Sequence, residues 1–190
     1  MNRQTVQLGP TVRMLLACDG STTVLLEALT GETLFVRVDA QGETSPEFLS
    51  DTIRNALALD TDAPVLERRS CLVTSEDEVV SVNHLVTDNI TRRRMGSPDT
   101  SIPFGMQLRQ QRIPQYRAQV SSGLAPWRGS DEPTLSAFKS YIIHDADGGR
   151  TYVHEHFNPR LVQLGDDAAL RALPAGLVHE GLPIRIPLPS

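Results

Sequence analysis

The sequence predicts an α+β domain in which helices pack on one side of a single antiparallel sheet. Three observations lead there. Residues 65–74 and 78–87 are strand-like runs separated by Ser75-Glu76-Asp77, the spacing of a hairpin. Residues 145–149 (DADGG) make a turn into a final strand over 150–157. The helical segments do not alternate with the strands, which favours α+β.

The elements follow from local patterning. Residues 11–18 (TVRMLLAC) have helical spacing, with Val12, Leu15 and Leu16 on one side, and Asp19-Gly20 stops the run. Ser21-Thr22-Thr23 suits the cap of a short helix through Leu29. Thr30-Gly31-Glu32 turns into residues 33–39, where Leu34, Val36 and Val38 alternate like a half-buried strand. Ser45-Pro46-Glu47 is a helix start, with the helix expected to end near Leu59. After the hairpin, helical segments flank Pro98 and are interrupted by Pro103-Phe104-Gly105. Two further strands are expected over about 115–121 and 136–144. From Leu164 the composition shifts to Leu, Pro, Gly and Ala. One domain is therefore drawn over residues 1–163, and 164–190 is read as a peripheral or partly disordered tail.

Bulk properties narrow the class. A chain of 190 residues, 39 % apolar and 22 % charged, is long enough for one domain with a real core. A net charge of −5 gives no general reason to expect nucleic acid or an anionic membrane as partner. Arg92, Arg93 and Arg94 form the one dense basic run and read as a solvated helix face. Cys18 and Cys71 lack a CxxC spacing and read as reduced, buried thiols. The start of the chain lacks a charged-then-apolar signal pattern, and no apolar run reaches the roughly 20 residues of a membrane span, so a cytoplasmic location is expected.

Strand parity then selects side chains that share a face. Arg69 falls with Val65, Cys71 and Val73, and Arg68 falls opposite with Leu66 and Leu72. His84 falls with Val80, Val82 and Val86, and Glu155 with Val153 and Phe157. Three ionisable residues, Arg69, His84 and Glu155, thus stand on faces that look core-directed, where an unpaired charge costs several kcal/mol. Two explanations remain open. One is a buried Arg–Glu salt bridge, or strands whose second face is solvated. The other is a pocket for a small anion, with Arg69 gripping a carboxylate and Glu155 holding its proton through desolvation. His154 and His156, at i and i+2 on a strand, suit a shared metal, but with five histidines in the chain no third ligand stands out, so no metal is expected. Residues 145–149 lack the length and closing Glu of a calcium loop. Walker, GxSxG and dinucleotide motifs are absent, and Cys71 near His84 reads as a core thiol.

Four segments in order resemble the chorismate lyases (chorismate pyruvate-lyases): residues 15–23 (LLACDGSTT), 66–86 (LERRSCLVTSEDEVVSVNHLV), Pro103-Phe104-Gly105, and 152–157 (YVHEHF). The resemblance spans residues of about 8 to 160. It implies an antiparallel sheet with helices on one side and an enclosed ligand pocket. By the same resemblance Arg69 would bind the ring carboxylate, assisted by backbone N–H groups at Thr22 and Phe104. Glu155 would contact the oxygen para to that carboxylate. The implied activity is elimination of pyruvate from chorismate to give 4-hydroxybenzoate, with no cofactor, in aromatic secondary metabolism. The catalytic pair would be Glu155 and Arg69, with Thr22, Phe104 and His84 completing the substrate site. The chain departs from the family pattern at Phe104, usually Leu, and at His84, where some relatives carry a second arginine. It also departs at His154, usually Thr, and at Lys139-Ser140-Tyr141, where relatives are richer in arginine.

Other readings stay open. One is a non-catalytic aromatic-acid-binding domain of the same fold, as in the ligand-binding domains of one class of bacterial transcription regulators. The absence of a helix-turn-helix segment before the first helix is the sequence's argument against it. Another is a lyase acting on a related enolpyruvyl substrate. A third is a metal-dependent enzyme built on His154 and His156.

Overall fold

Two short helices precede the first strand. In the computed structural model, which describes residues 8–59, 63–96, 100–127 and 134–165, α1 spans Pro10–Ala17 and α2 spans Thr22–Thr30. Pro10 suits the first turn of α1 because its fixed φ is helical and its missing N–H is not needed there. The helix buries Val12, Leu15 and Leu16, the face its spacing predicts. Gly31 ends α2 in the left-handed region (φ 73°), and its N–H donates to Glu27 O.

The strand β1 (Phe35–Thr44) follows. The single helix expected from Ser45 to Leu59 is instead a 3-10 turn, Pro46–Phe48, and a separate α3 (Asp51–Leu57). Leu49 lies extended between them, and Ser50 caps α3 by accepting from Ile53 N. The hairpin of β2 (Val65–Val73) and β3 (Val79–Thr87) forms as expected, with Thr74 N donating to Glu78 O across the turn. Then come α4 (Asn89–Met95), α5 (Phe104–Gln110), β4 (Gln115–Trp127), β5 (Thr134–Asp145) and β6 (Arg150–Phe157).

All six strands form one antiparallel sheet, in the order β1-β2-β3-β6-β5-β4. The last strand is thus inserted between β3 and β5, near the middle. Pairing sets Ser70, Asn83, Glu155 and Lys139 side by side in one row across four strands. The adjacent row is Arg69, His84, His154 and Ser140. Because successive side chains alternate, these two rows face opposite sides of the sheet.

Helices α1 and α2 pack Val12, Leu15, Leu16 and Leu26 against Leu72, Leu124 and Phe157. Met95 of α4 and Phe104 and Leu108 of α5 pack on Leu85, Tyr141, Ile143 and Val153. Each fully buried side chain of this kind contributes about 1.5–3 kcal/mol. Helices α1, α2, α4 and α5 thus share one side of the sheet, as expected, while α3 packs separately. Ile53 and Leu57 of α3 meet Val65, Val86 and Tyr152, which lie by parity on the other face.

The turn into β6 is tied to α4 by two buried carboxylates. Asp145 Oδ1 accepts from Asp147 N and Gly149 N, and its Oδ2 from Thr91 Oγ1. Asp88 accepts from Thr91 N and Arg150 N, each at 2.8 Å. At the other end of the domain Leu164 joins the core cluster, and its carbonyl accepts from Gly9 N at 2.7 Å. Residues 166–190, most of the expected tail, lie outside the described residues. No helix among the described residues is long and apolar enough to cross a membrane.

Candidate anion-binding cleft

Between the sheet and the starts of α2 and α5 lies a cleft of about 50 Å³, lined among others by Thr22, Arg68, Phe104, Arg117, Tyr141 and Glu155. Neither helix start carries a side-chain cap: Ser21 makes no capping bond, and Pro103 stands at the cap position of α5. Backbone N–H groups of a first helical turn have no intrahelical partner, so both starts turn positive dipole ends toward the cleft.

Glu155 stands at the floor, 6 % exposed, on the central strand β6. Burial pushes its carboxyl above the ordinary 4.5, opposed first by the Lys139 charge and then by Thr22, Arg117 and Tyr141. Lys139 Nζ lies 3.8 Å from Glu155 Oε2 and donates to Leu15 O (2.9 Å) and Cys18 O (3.3 Å) at the end of α1. Desolvation lowers the Lys139 ammonium despite the nearby carboxylate. Among the described residues, Glu155 Oε2, Thr22 Oγ1 and Arg117 Nε are buried without a hydrogen-bond partner. Thr22 stands close enough to hold the carboxyl's pKa down but makes no hydrogen bond of good geometry to it. Buried polar atoms left this way in a lined cleft are where a ligand's polar groups would be satisfied. Two guanidiniums supply positive charge. Arg68 is 4 % exposed, with Nε donating to Gln41 Oε1 at 2.6 Å. Arg117 leans over the Tyr141 ring, 5.5 Å from its centroid.

Of the residues selected from sequence, Glu155, Thr22 and Phe104 come together here. Arg69 and His84 do not. Arg69 lies on the opposite face, its side chain 68 % exposed and paired with Glu67 at 3.1 Å. His84 Nε2 also meets Glu67 Oε1, at 2.8 Å. The orientations expected for Arg68 and Arg69 are reversed. The apolar neighbours misled because Val65, Cys71 and Val73 are buried too, Val65 by α3 on the second face. Arg117 and Lys139 were missed as site residues. Their strands offer no parity signal for charge, and only the pairing of β5 with β6 sets Lys139 opposite Glu155.

The remaining candidates sit elsewhere. Burial, with His156 and His84 adding repulsion, lowers His154 to about 4, and its Nδ1 meets Ser140 Oγ at 2.8 Å. His156 Nε2 meets Ser136 Oγ. Among the described residues no three His, Cys, Asp or Glu side chains gather as a metal site requires. Cys71 Sγ lies 3.4 Å from Asp39 Oδ2 rather than at a histidine. Arg92 pairs with Glu43 and Arg94 with Asp147.

The six-stranded sheet shares its fold with solved structures that include an effector domain and a possible transcriptional regulator. The chain is similar to the effector domain of PhnF from Mycobacterium smegmatis, at 17 % identity and a TM-score of 0.55, over 74 % of this chain and 90 % of that one. PhnF itself aligns at 17 % identity and a TM-score of 0.53, over 76 % of this chain and 67 % of PhnF. The possible transcriptional regulator YydK from Bacillus subtilis aligns at 10 % identity and a TM-score of 0.52, over 70 % of this chain and 60 % of YydK. No family model and no curated protein matches the chain.

These neighbours correct the reading from sequence. The solved structures similar to this chain are PhnF, its effector domain and a possible transcriptional regulator, none of them a chorismate lyase, and they overturn the expected lyase activity and its place in aromatic biosynthesis. The enclosed pocket expected with the lyase resemblance is not shown either: the space found is a partly open cleft.

Proposed function

We propose that this chain is a non-catalytic effector domain of a transcription regulator, holding a small organic anion in the cleft. The observation that carries it is the meeting in one lined cavity of Arg68 and Arg117 with Thr22 and Glu155, where Arg117 Nε, Thr22 Oγ1 and Glu155 Oε2 are buried without a hydrogen bond. Guanidiniums hold carboxylate or phosphate through charge-assisted, paired hydrogen bonds, strongest where water is excluded. Glu155, kept protonated more readily by burial, offers a donor or an acceptor to a hydroxyl or amine on the same ligand. An effector domain needs only to bind one state better than another, and no bond need break. The likeness to PhnF and YydK supports this reading through the fold. It also brings DNA in as a partner of the whole regulator, where the charge balance had argued against nucleic acid.

The test is calorimetric titration with small carboxylates and phosphate esters at low ionic strength. Binding that is lost in Arg68→Ala and in Arg117→Ala supports the reading. Full binding by both variants, or no binding by the intact protein, overturns it.

A further inference from the structure

Beside the cleft lies a second cavity of about 80 Å³, lined by Ala17, Cys18, Asp19, Gln119 and Lys139. Arg117 and Tyr141 line both cavities and so form the wall between them. Both spaces are small beside an engineered cavity that binds benzene, which measures about 150 Å³. The two halves of the wall differ. Tyr141 is buried at 8 % exposure on β5. Arg117 is loosely held: its Nε has no hydrogen-bond partner among the described residues, and its Nη1 reaches Asp19 O only at 3.5 Å. Its Nη2 fills the space beside Gly105, where a Cβ would stand 3.0 Å away. A long side chain with one marginal bond and a buried, unpaired nitrogen gains by turning toward an anion. In the second cavity Lys139 already faces two carbonyls and the Glu155 carboxyl. The surface left to a ligand there is small and mixed: Ala17, Cys18 and the Tyr141 ring form an apolar strip, and Asp19 and Gln119 form a polar edge beside it.

We propose that the two cavities are halves of one binding site, with Arg117 as its movable partition and the residue that sets ligand length. An organic anion places its acid group between Arg68 and Arg117 and runs a short aliphatic tail past Tyr141 toward Ala17 and Cys18. This rests on the anion-binding reading of the cleft.

The experiment is an NMR titration of the isotope-labelled chain with acetate and with hexanoate at low ionic strength. Acetate is expected to shift the amides of Thr22, Phe104 and Gly105 only. Hexanoate is expected to shift those and also Cys18 and Gln119, and to bind at least ten-fold more tightly. Arg117→Ala should weaken both probes at least five-fold. Ala17→Leu, which crowds the second cavity, should cut the advantage of hexanoate over acetate at least five-fold. Hexanoate binding no more tightly than acetate, or leaving Cys18 and Gln119 unshifted, overturns the inference. So does a hexanoate advantage undiminished in Ala17→Leu, or unchanged affinity in Arg117→Ala. If neither probe shifts any amide of the cleft, this inference falls, and the anion-binding reading falls with it when the phosphate esters also fail to bind.

Discussion

Arg68 is buried beside Gln41 with its guanidinium at the cleft, whereas Arg69 reaches into solvent toward Glu67. A charge-assisted hydrogen bond is worth about 1.5–3 kcal/mol, so Arg68→Ala should weaken anion binding ten- to hundred-fold. An exposed pair contributes about 0–1 kcal/mol, so Arg69→Ala should leave both affinity and stability nearly unchanged. Titration of the two variants with one carboxylate checks this pair of outcomes. Lys139 makes a second case. Lys139→Met leaves Glu155 buried without its counter-charge, a loss of about 3–5 kcal/mol where the carboxyl is ionised. Protonation relieves that loss, so the deficit should shrink as pH falls toward the ordinary carboxyl value of 4.5. Urea unfolding of variant and parent at pH 5 and pH 8 measures it; an equal deficit at both values refutes the account.

At the scale of the element, β6 carries Glu155 on one face and His154 on the other, and the two titrate against each other. The Glu155 carboxyl is raised on folding, so its contribution is present below about 4.5 and lost as pH rises through its folded value. His154 is lowered from 6.5 to about 4, so its contribution is present above 6.5 and lost as pH falls toward 4. The slopes oppose each other from about pH 4.5 upward, within the histidine's window of about 4 to 6.5. Glu155→Gln should expose the histidine's loss, up to about 3 kcal/mol on acidification through that window. His154→Asn should expose the reverse, with stability falling as pH rises. Denaturant midpoints across pH 4–7 decide, and parallel profiles for both variants would refute the pairing. The turn into β6 is also demanding. A methyl on Gly149 would collide with Thr91 Oγ1 and Asp145 Oδ2, whereas nothing lies within 4 Å of one on Gly42. Gly149→Ala should cost about 1–3 kcal/mol through crowding of the buried carboxylate, and Gly42→Ala should not. This hairpin was legible in the sequence because DADGG is a local turn signal. The split at Leu49 was not, because one burial contact outweighed a continuous helical pattern.

For the whole molecule, an effector domain must gain stability from its ligand. An anion present at one hundred times its Kd stabilises the folded state by about 2.7 kcal/mol. For a chain of this size each kcal/mol raises Tm by about 2–4 °C, a shift that thermal melts with and without the anion will show. On the proposed effector-domain reading, incubation with chorismate should release no pyruvate. What the sequence by itself determined is what depends on near neighbours. The apolar face of α1, the two hairpins and the α+β class follow from side chains two to four residues apart. Glu155 was also selected from its own strand, because Val153 and Phe157 flank it there. The tertiary structure alone decided the rest. Inserting β6 between β3 and β5 sets Glu155 opposite Lys139. The helices' choice of faces turned Arg68, not Arg69, toward the cleft, and β4 brought Arg117 to it. Those outcomes depend on pairing between residues far apart in the chain and on which face of the sheet a helix covers. An alternating strand reads the same from either face.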